Sequence, residues 1–230
     1  MSLLLYGVVE AGWVGEDQVT GVGLDDRRLH TVVEGPLAAI VTEHDGAPPE
    51  PGIERLHEYE RTVRRLMDAG AILPARFGSV LEDEGTVRGL LKRRRRDLLT
   101  RLRRVRGTVE LALRASWRRG TRTPGDTAGG VRGASAPQSG TSYLRERLEL
   151  RQSARRVASE LDPLSALARS SRRTLSPAPD LPVLDAYLVE RDRVREFVDM
   201  VRQLDDCLDD VELTCTGPWP PYSFAEGGPV

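Results

Sequence analysis

Near the end of the chain, Val211, Leu213 and Cys215 alternate with Glu212, Thr214 and Thr216, and a proline-rich aromatic run follows at once. Period two marks a strand with one buried face. Gly217-Pro218 and Pro220-Pro221 are expected to stop that strand, because proline brings no N–H to a ladder and restricts the residue before it. Trp219, Tyr222 and Phe224 lie within this stiff segment, in a chain that is only 5% aromatic. A rigid run with three large rings must lie against something apolar. It is either a latch that closes a sheet or a recognition surface, and the general tendency of large rings to bury for packing favours the latch.

The elements upstream give this strand its context. Residues 108–114 alternate as a strand that Trp117 closes, and residues 118–140 are rich in Gly, Thr, Ser, Ala and Pro, as in a flexible loop. Residues 143–161 read as a helix with an inner stripe of Leu144, Leu148, Ala154, Ala158 and Leu161, capped by Thr141 or Ser142. Strands are expected at 172–178 and 182–190. Asp192 should cap a helix with Val194, Phe197, Val198, Val201 and Leu204 on one face. The order βαββαβ is that of a ferredoxin-like sandwich, with the first and third strands central and the last at an edge. The Trp-Pro-Pro-Tyr run is then expected to wrap off that edge, where unpaired backbone needs cover.

The first half reads differently. Residues 3–10 form an apolar run of strand length, buried on both faces. Residues 28–34 and 37–43 flank Gly35-Pro36 as an antiparallel hairpin. A helix over 53–69 carries Ile53, Leu56, Tyr59, Val63, Leu66 and Met67 at helical spacing and stops at Gly70. A short strand over 71–78 contains Pro74, which points to an edge or a bulge. Glu82-Asp-Glu84 opens one long helix that runs to Arg106, where Gly107 ends it. The fold class is α+β in two domains. The first, 1–106, is an N-terminal α+β domain with a small antiparallel sheet and a long helix; the second, 107–230, is ferredoxin-like and contains the 118–140 loop.

Composition limits the chemistry. With 34 basic and 35 acidic residues the net charge is −1, which argues for neither nucleic acid nor an anionic membrane. No apolar window reaches the length of a membrane span and no signal peptide is read. Cys207 and Cys215 can pair in principle, but two reduced thiols suit a cytoplasmic protein better. His57-Glu-Tyr-Glu-Arg61 has an arginine where a second zinc ligand belongs, and no nucleophile elbow, P-loop or dinucleotide fingerprint is present. Neither catalysis, a metal nor a cofactor is expected. Arg93-Arg-Arg-Arg96 is the best local case for a polyanion partner, yet four consecutive helical positions span the whole circumference and cannot all face one groove.

Five segments resemble one family. Tyr6-Gly-Val-Val, Ile72-Leu-Pro-Ala-Arg-Phe-Gly-Ser-Val80, Gly140-Thr-Ser-Tyr-Leu-Arg-Glu-Arg147, Ala186-Tyr-Leu-Val-Glu-Arg-Asp192 and Thr216-Gly-Pro-Trp-Pro-Pro-Tyr-Ser-Phe224 are similar, in this order, to the gas vesicle protein F/L family. The resemblance implies the same two-domain α+β fold and a non-enzymatic accessory role in building gas vesicles, the gas-filled protein shells of some prokaryotes. It implies as partners the small hydrophobic shell protein and other accessory proteins, in the cytoplasm and at the vesicle. A shell subunit with a large apolar face must be held before assembly, by β-edge pairing or apolar contact. The candidate contact residues are Leu73, Arg76 and Phe77 on the short strand and Trp219, Tyr222 and Phe224 in the tail. The competing expectation is a polyanion-binding regulator using Arg93 to Arg106, betrayed by steep salt dependence.

Overall fold

The computed structural model describes residues 2–13, 21–118, 140–175 and 183–225. Helices and two antiparallel sheets fall into two compact units, Met1–Glu110 with Pro218–Val230, and Leu111–Gly217.

In the first unit, β1 (Ser2–Glu10) is buried along almost its whole length, as its unbroken apolar run requires. One edge pairs with β3 (Leu37–His44), which pairs in turn with β2 (His30–Glu34) through the Gly35-Pro36 turn. Two short strands share the other edge of β1: β4 (Leu73–Pro74) opposite Gly7 and Val8, and β5 (Val80–Leu81) opposite Leu3 and Leu4. The single strand expected over 71–78 is therefore two, because the chain turns between them. Ser79 N–H closes that turn on the Arg76 carbonyl at 3.1 Å, and Gly78 takes a φ of 80°, the positive value a type II turn needs at this position. Pro74 does lie on an outer strand, as its missing N–H demands.

Gly7 is needed for a different reason. A Cβ there would stand 2.6 Å from the Leu73 carbonyl oxygen and 2.7 Å from the Ile72 side chain, so β4 approaches β1 only because residue 7 has none.

Helix α1 (Ile53–Ala69) buries Tyr59, Val63, Leu66 and Met67 as its spacing predicts. Its first turns do not follow the stripe, since Ile53 is 75% exposed and Leu56 42%. The long helix expected from Glu82 to Arg106 begins at Glu84 and is divided into α2 (Glu84–Arg93) and α3 (Arg95–Val105). Buried Val87 and Leu91 lead to buried Leu98, Leu102 and Val105, but Arg94 occupies the stripe position between them and its guanidinium turns to Asp97 at 3.2 Å. Backbone hydrogen bonds continue through the break, from Arg94 N–H to Leu90 and from Leu98 N–H to Arg94. Asp83 caps α2 by accepting from Thr86 N–H at 2.7 Å, so the acidic start of this helix is a true N-cap.

The second unit follows the order β6 (Thr108–Trp117), α4 (Gly140–Glu160), α5 (Asp162–Leu167), β7 (Ser170–Leu175), β8 (Val183–Glu190), α6 (Val194–Cys207) and β9 (Val211–Trp219). The sheet order is β7-β8-β6-β9. The core joins Leu111, Leu113 and Ala115 of β6 to Val157 and Leu161 of α4, Tyr187 of β8, and Phe197 and Val201 of α6. Tyr187 and Phe197 meet at 5.0 Å between ring centroids.

Several sequence expectations need correction here. Leu144 and Leu148 are 67% and 56% exposed, and α4 buries Ala154, Val157, Ala158 and Leu161 instead. Thr141 and Ser142 lie inside α4, which begins at Gly140, rather than capping it. Asp192 sits in a 3-10 turn, and the residue preceding α6 is Arg193, with no side-chain cap. β9 does not stop at Gly217-Pro218 but runs to Trp219, which an edge strand permits when a proline's missing N–H falls on its outer side. Most of the expected 118–140 loop, and the end of the strand expected to reach 178, lie outside the described residues.

The tail is also placed differently. From Pro218 onward it belongs with the first unit, where Tyr222–Ala225 form the short helix α7. Its polar anchors there are the reason.

Candidate partner-binding groove

Those anchors are carboxylates and arginines on α1, α3 and the start of β6. Tyr222 donates its hydroxyl to Glu60 Oε2 at 2.9 Å. Ser223 donates twice to Glu110, from its backbone N–H at 2.8 Å and from its hydroxyl at 2.6 Å. The Ala225 carbonyl accepts from Arg101 at 3.0 Å. Rings complete the attachment: the Arg64 guanidinium lies 4.8 Å from the Trp219 ring centre and that of Arg104 5.9 Å from Phe224. Phe224 is buried, whereas Trp219 and Tyr222 are half-buried. The tail is thus hydrogen-bonded within the first unit through Tyr222, Ser223 and Ala225.

The β4–β5 turn is held as firmly. Tyr59 stacks on Tyr6 at 4.9 Å and takes Phe77 edge-on at 5.5 Å. Its hydroxyl, buried with them, lies 2.8 Å from the Leu5 carbonyl and 3.0 Å from that of Ala75. Burial pushes the Tyr59 phenol well above its ordinary pKa, so it stays a donor at any physiological pH. Leu73 is buried under the turn, Phe77 is half-buried and Arg76 is exposed.

Between turn and tail runs a groove of about 740 Å³. Leu73, Arg76, Phe77 and Tyr222 line it, with Leu5, Val80, Leu90, Leu98 and Arg94. Four of the six residues singled out in the sequence thus meet in one concavity. Trp219 and Phe224 are not among its lining residues; their rings lie against the guanidiniums of Arg64 and Arg104. Sequence reasoning missed Glu60, Arg101 and Glu110. The available signal was an acid set within an apolar stripe, as Glu60 is beside Tyr59 and Val63, or inside a buried strand, as Glu110 is between Val109 and Leu111.

The arginine run is partly engaged. Arg94 and Arg101 both bridge Asp97, Arg88 bridges Glu84, and Arg106 bridges Glu10. On the second sheet Tyr187 is fully buried and donates to Asp185 at 2.7 Å, so it offers no ring for a nucleobase. Among the described residues, no group of three or more His, Cys, Asp and Glu stands close enough to hold a metal ion, and no helix is long and apolar enough to cross a membrane. Cys207 and Cys215 are both free.

Known proteins match this chain along its whole length. The gas vesicle protein F of Streptomyces sp. (strain CB03234) is 28% identical over 98% of this chain and 100% of its own. The gas vesicle protein L of the same strain is 30% identical over 89% of this chain and 85% of its own. The crystal structure of gas vesicle protein GvpF from Anabaena sp. PCC7120 superposes with a TM-score of 0.79 at 21% identity, covering 99% of this chain and 97% of that one, and so shares its fold. The family model for gas vesicle synthesis protein GvpL/GvpF matches residues 2–226, and the chain belongs to that family.

Proposed function

We propose that this chain is an accessory factor in gas-vesicle assembly that binds the hydrophobic shell protein, and other accessory proteins, during nucleation or as a minor vesicle component. It acts in the cytoplasm and at the vesicle, as a binding protein and not as an enzyme, without a cofactor. The observation that carries this reading is the apolar groove bounded by the Leu73–Phe77 segment and Tyr222, on a chain of the GvpL/GvpF family. A pre-formed concavity with a few placed polar groups suits the capture of an apolar partner. In the same reading the chain comprises two domains, with the boundary in sequence near the start of β6. The second is a ferredoxin-like sandwich, supported by the sheet order β7-β8-β6-β9 with α4 and α6 packed in its core.

The test is affinity capture of the tagged protein from its host, with co-eluting proteins identified by mass spectrometry. Recovery of the shell protein with the wild type and its loss with Phe77→Ser, at unchanged circular dichroism, is the expected result. Shell protein recovered equally by both would keep the role and move the contact elsewhere. Nucleic acid alone, released by raised salt, would replace this reading with the arginine-based one.

A further inference from the structure

The outer face of α2 and α3 carries a charge that its own helices do not answer. Residues 88–106 hold ten basic side chains and one acid, Asp97. Asp97 is shared by Arg94 and Arg101, Arg88 has Glu84, and Arg106 has Glu10. Among the described residues no carboxylate pairs with Lys92, Arg96 or Arg103, and all three are exposed. These three are not scattered. Backbone hydrogen bonds carry the helical register through Arg94, so Lys92, Arg96, Leu99 and Arg103 follow at i, i+4, i+7 and i+11, the spacing of one helix face. Leu99, within the stripe, is half-buried. Leu90, Arg94 and Leu98, which line the groove, lie on the opposite side of the same helices, so the two surfaces are distinct. We propose that this stripe binds an acidic helical segment of a partner protein, its carboxylates set against Lys92, Arg96 and Arg103 and an apolar side chain against Leu99.

Three physical points select this occupant. An apolar helix would find only Leu99 and would leave three cations without a counter-charge, which is unfavourable once water is excluded. A nucleic acid would find the cations but would run on past them. Lys92 to Arg103 covers only about 16 Å at a rise of 1.5 Å per residue, three turns of a helix. Beyond it a long polyanion meets a chain whose remainder is net acidic, since the whole carries −1 in spite of this basic stretch. A short acidic helix matches the stripe and ends with it. Each exposed ion pair contributes little alone, so binding rests on several made in register. The spacing of the acids, and not their number, is then what the stripe recognises.

The experiment uses the full chain and fluorescent helical peptides of alanine and glutamine, read by anisotropy at low ionic strength. One peptide carries glutamates at i, i+4 and i+11 with a leucine at i+7; a second has the same composition with its glutamates spread around the helix; a third has lysines in place of the striped glutamates. The striped glutamate peptide is expected to bind about tenfold more tightly than the spread one, and the lysine peptide least. Arg96→Glu should remove most of that affinity. Arg61→Glu, an equal change of charge at an exposed position of α1, should not. Reversing Lys92, Arg96 and Arg103 together to glutamate should turn the preference to the striped lysine peptide, a gain that misfolding does not produce. Equal binding of the striped and spread glutamate peptides would overturn the proposal, as would equal losses in Arg96→Glu and Arg61→Glu. Duplex DNA that binds more tightly than the striped peptide, and is lost with Arg96→Glu, would overturn it in favour of a nucleic-acid face. Concentration-dependent mass of the wild type that disappears in Arg96→Glu, with no peptide signal, would overturn it in favour of a second copy of this chain.

Discussion

Tyr222 donates to Glu60 Oε2 at 2.9 Å, while Glu60 Oε1 is buried without a hydrogen-bond partner. Arg64 stands 3.9 Å from that second oxygen, close enough for ionic attraction and too far for a hydrogen bond. Burial outweighs both Tyr222 and Arg64, and the Glu60 carboxyl is raised above its ordinary value of 4.5. The folded state therefore holds the proton more tightly than the unfolded chain. Stability contributed at this site is greatest below about pH 4.5 and is lost as pH rises through the raised value, the reverse of a salt-bridged acid. Glu60→Gln should flatten that component of the pH dependence and match or exceed wild-type stability at pH 7. Urea midpoints measured on both proteins from about pH 4 to 8 decide it; identical slopes would show that Glu60 titrates as an ordinary acid.

Tyr59 ties α1 to β1 and to the β4–β5 turn through one oxygen. Tyr59→Phe keeps the stack on Tyr6 and the edge contact with Phe77 but strips the donor shared by the Leu5 and Ala75 carbonyls. A loss of about 1–3 kcal/mol is expected, the usual cost of leaving a buried acceptor unserved. Hydrogen exchange should quicken at residues 77–79 before it does in β3. Uniform exchange rates with an unchanged melting point would mean that packing alone holds the turn.

Residue pattern revealed many strands and helices, since β1 is an unbroken apolar run, Gly35-Pro36 marks the β2–β3 hairpin, and β6, α1 and α6 show a period in hydrophobicity. Failures came where hydrophobic spacing alone did not decide the outcome. The break at Arg94 reflects one arginine on an otherwise apolar stripe and an aspartate three residues on. Exposure of Leu144 and Leu148 could not be read from a spacing that is formally amphipathic. Of the site, Leu73, Arg76, Phe77 and Tyr222 were legible as types worth noticing. Their shared groove was not, because residues 77 and 222 are brought together by distant side chains, Tyr59 at the turn and Glu60, Arg101 and Glu110 at the tail. Period-two and period-3.6 patterns carry no information about such long-range anchors.

Gly7 makes a sharp steric prediction. Its added methyl group would fall 2.6 Å from a backbone oxygen that cannot rotate away, so β4 must shift. Gly7→Ala should destabilise by about 1–3 kcal/mol, as overpacked sites do. Gly12→Ala is the control, since nothing lies within 4 Å of a Cβ built there. Thermal midpoints that fall equally for both would show that chain entropy and not contact governs the result.

Arg173 offers an internal comparison of burial with exposure. Its guanidinium bridges Asp185 at 2.9 Å and Asp162 at 2.8 Å, nearly equal lengths in unlike surroundings. The Asp185 side chain is 1% exposed and also accepts from Tyr187, whereas that of Asp162 is 67% exposed. Water and salt screen the outer pair, so Asp162→Ala should cost less than about 1 kcal/mol. Asp185→Ala removes a charge that serves two donors in the second unit, and takes from the Tyr187 hydroxyl the acceptor to which it donates inside the core. About 3 kcal/mol or more is expected there, in line with removing one member of a buried pair. Urea midpoints at two salt concentrations separate the cases: added salt should narrow the gap between wild type and Asp162→Ala and leave the larger gap in place. Equal costs at both aspartates would mean that distance, not burial, sets the strength of these bridges.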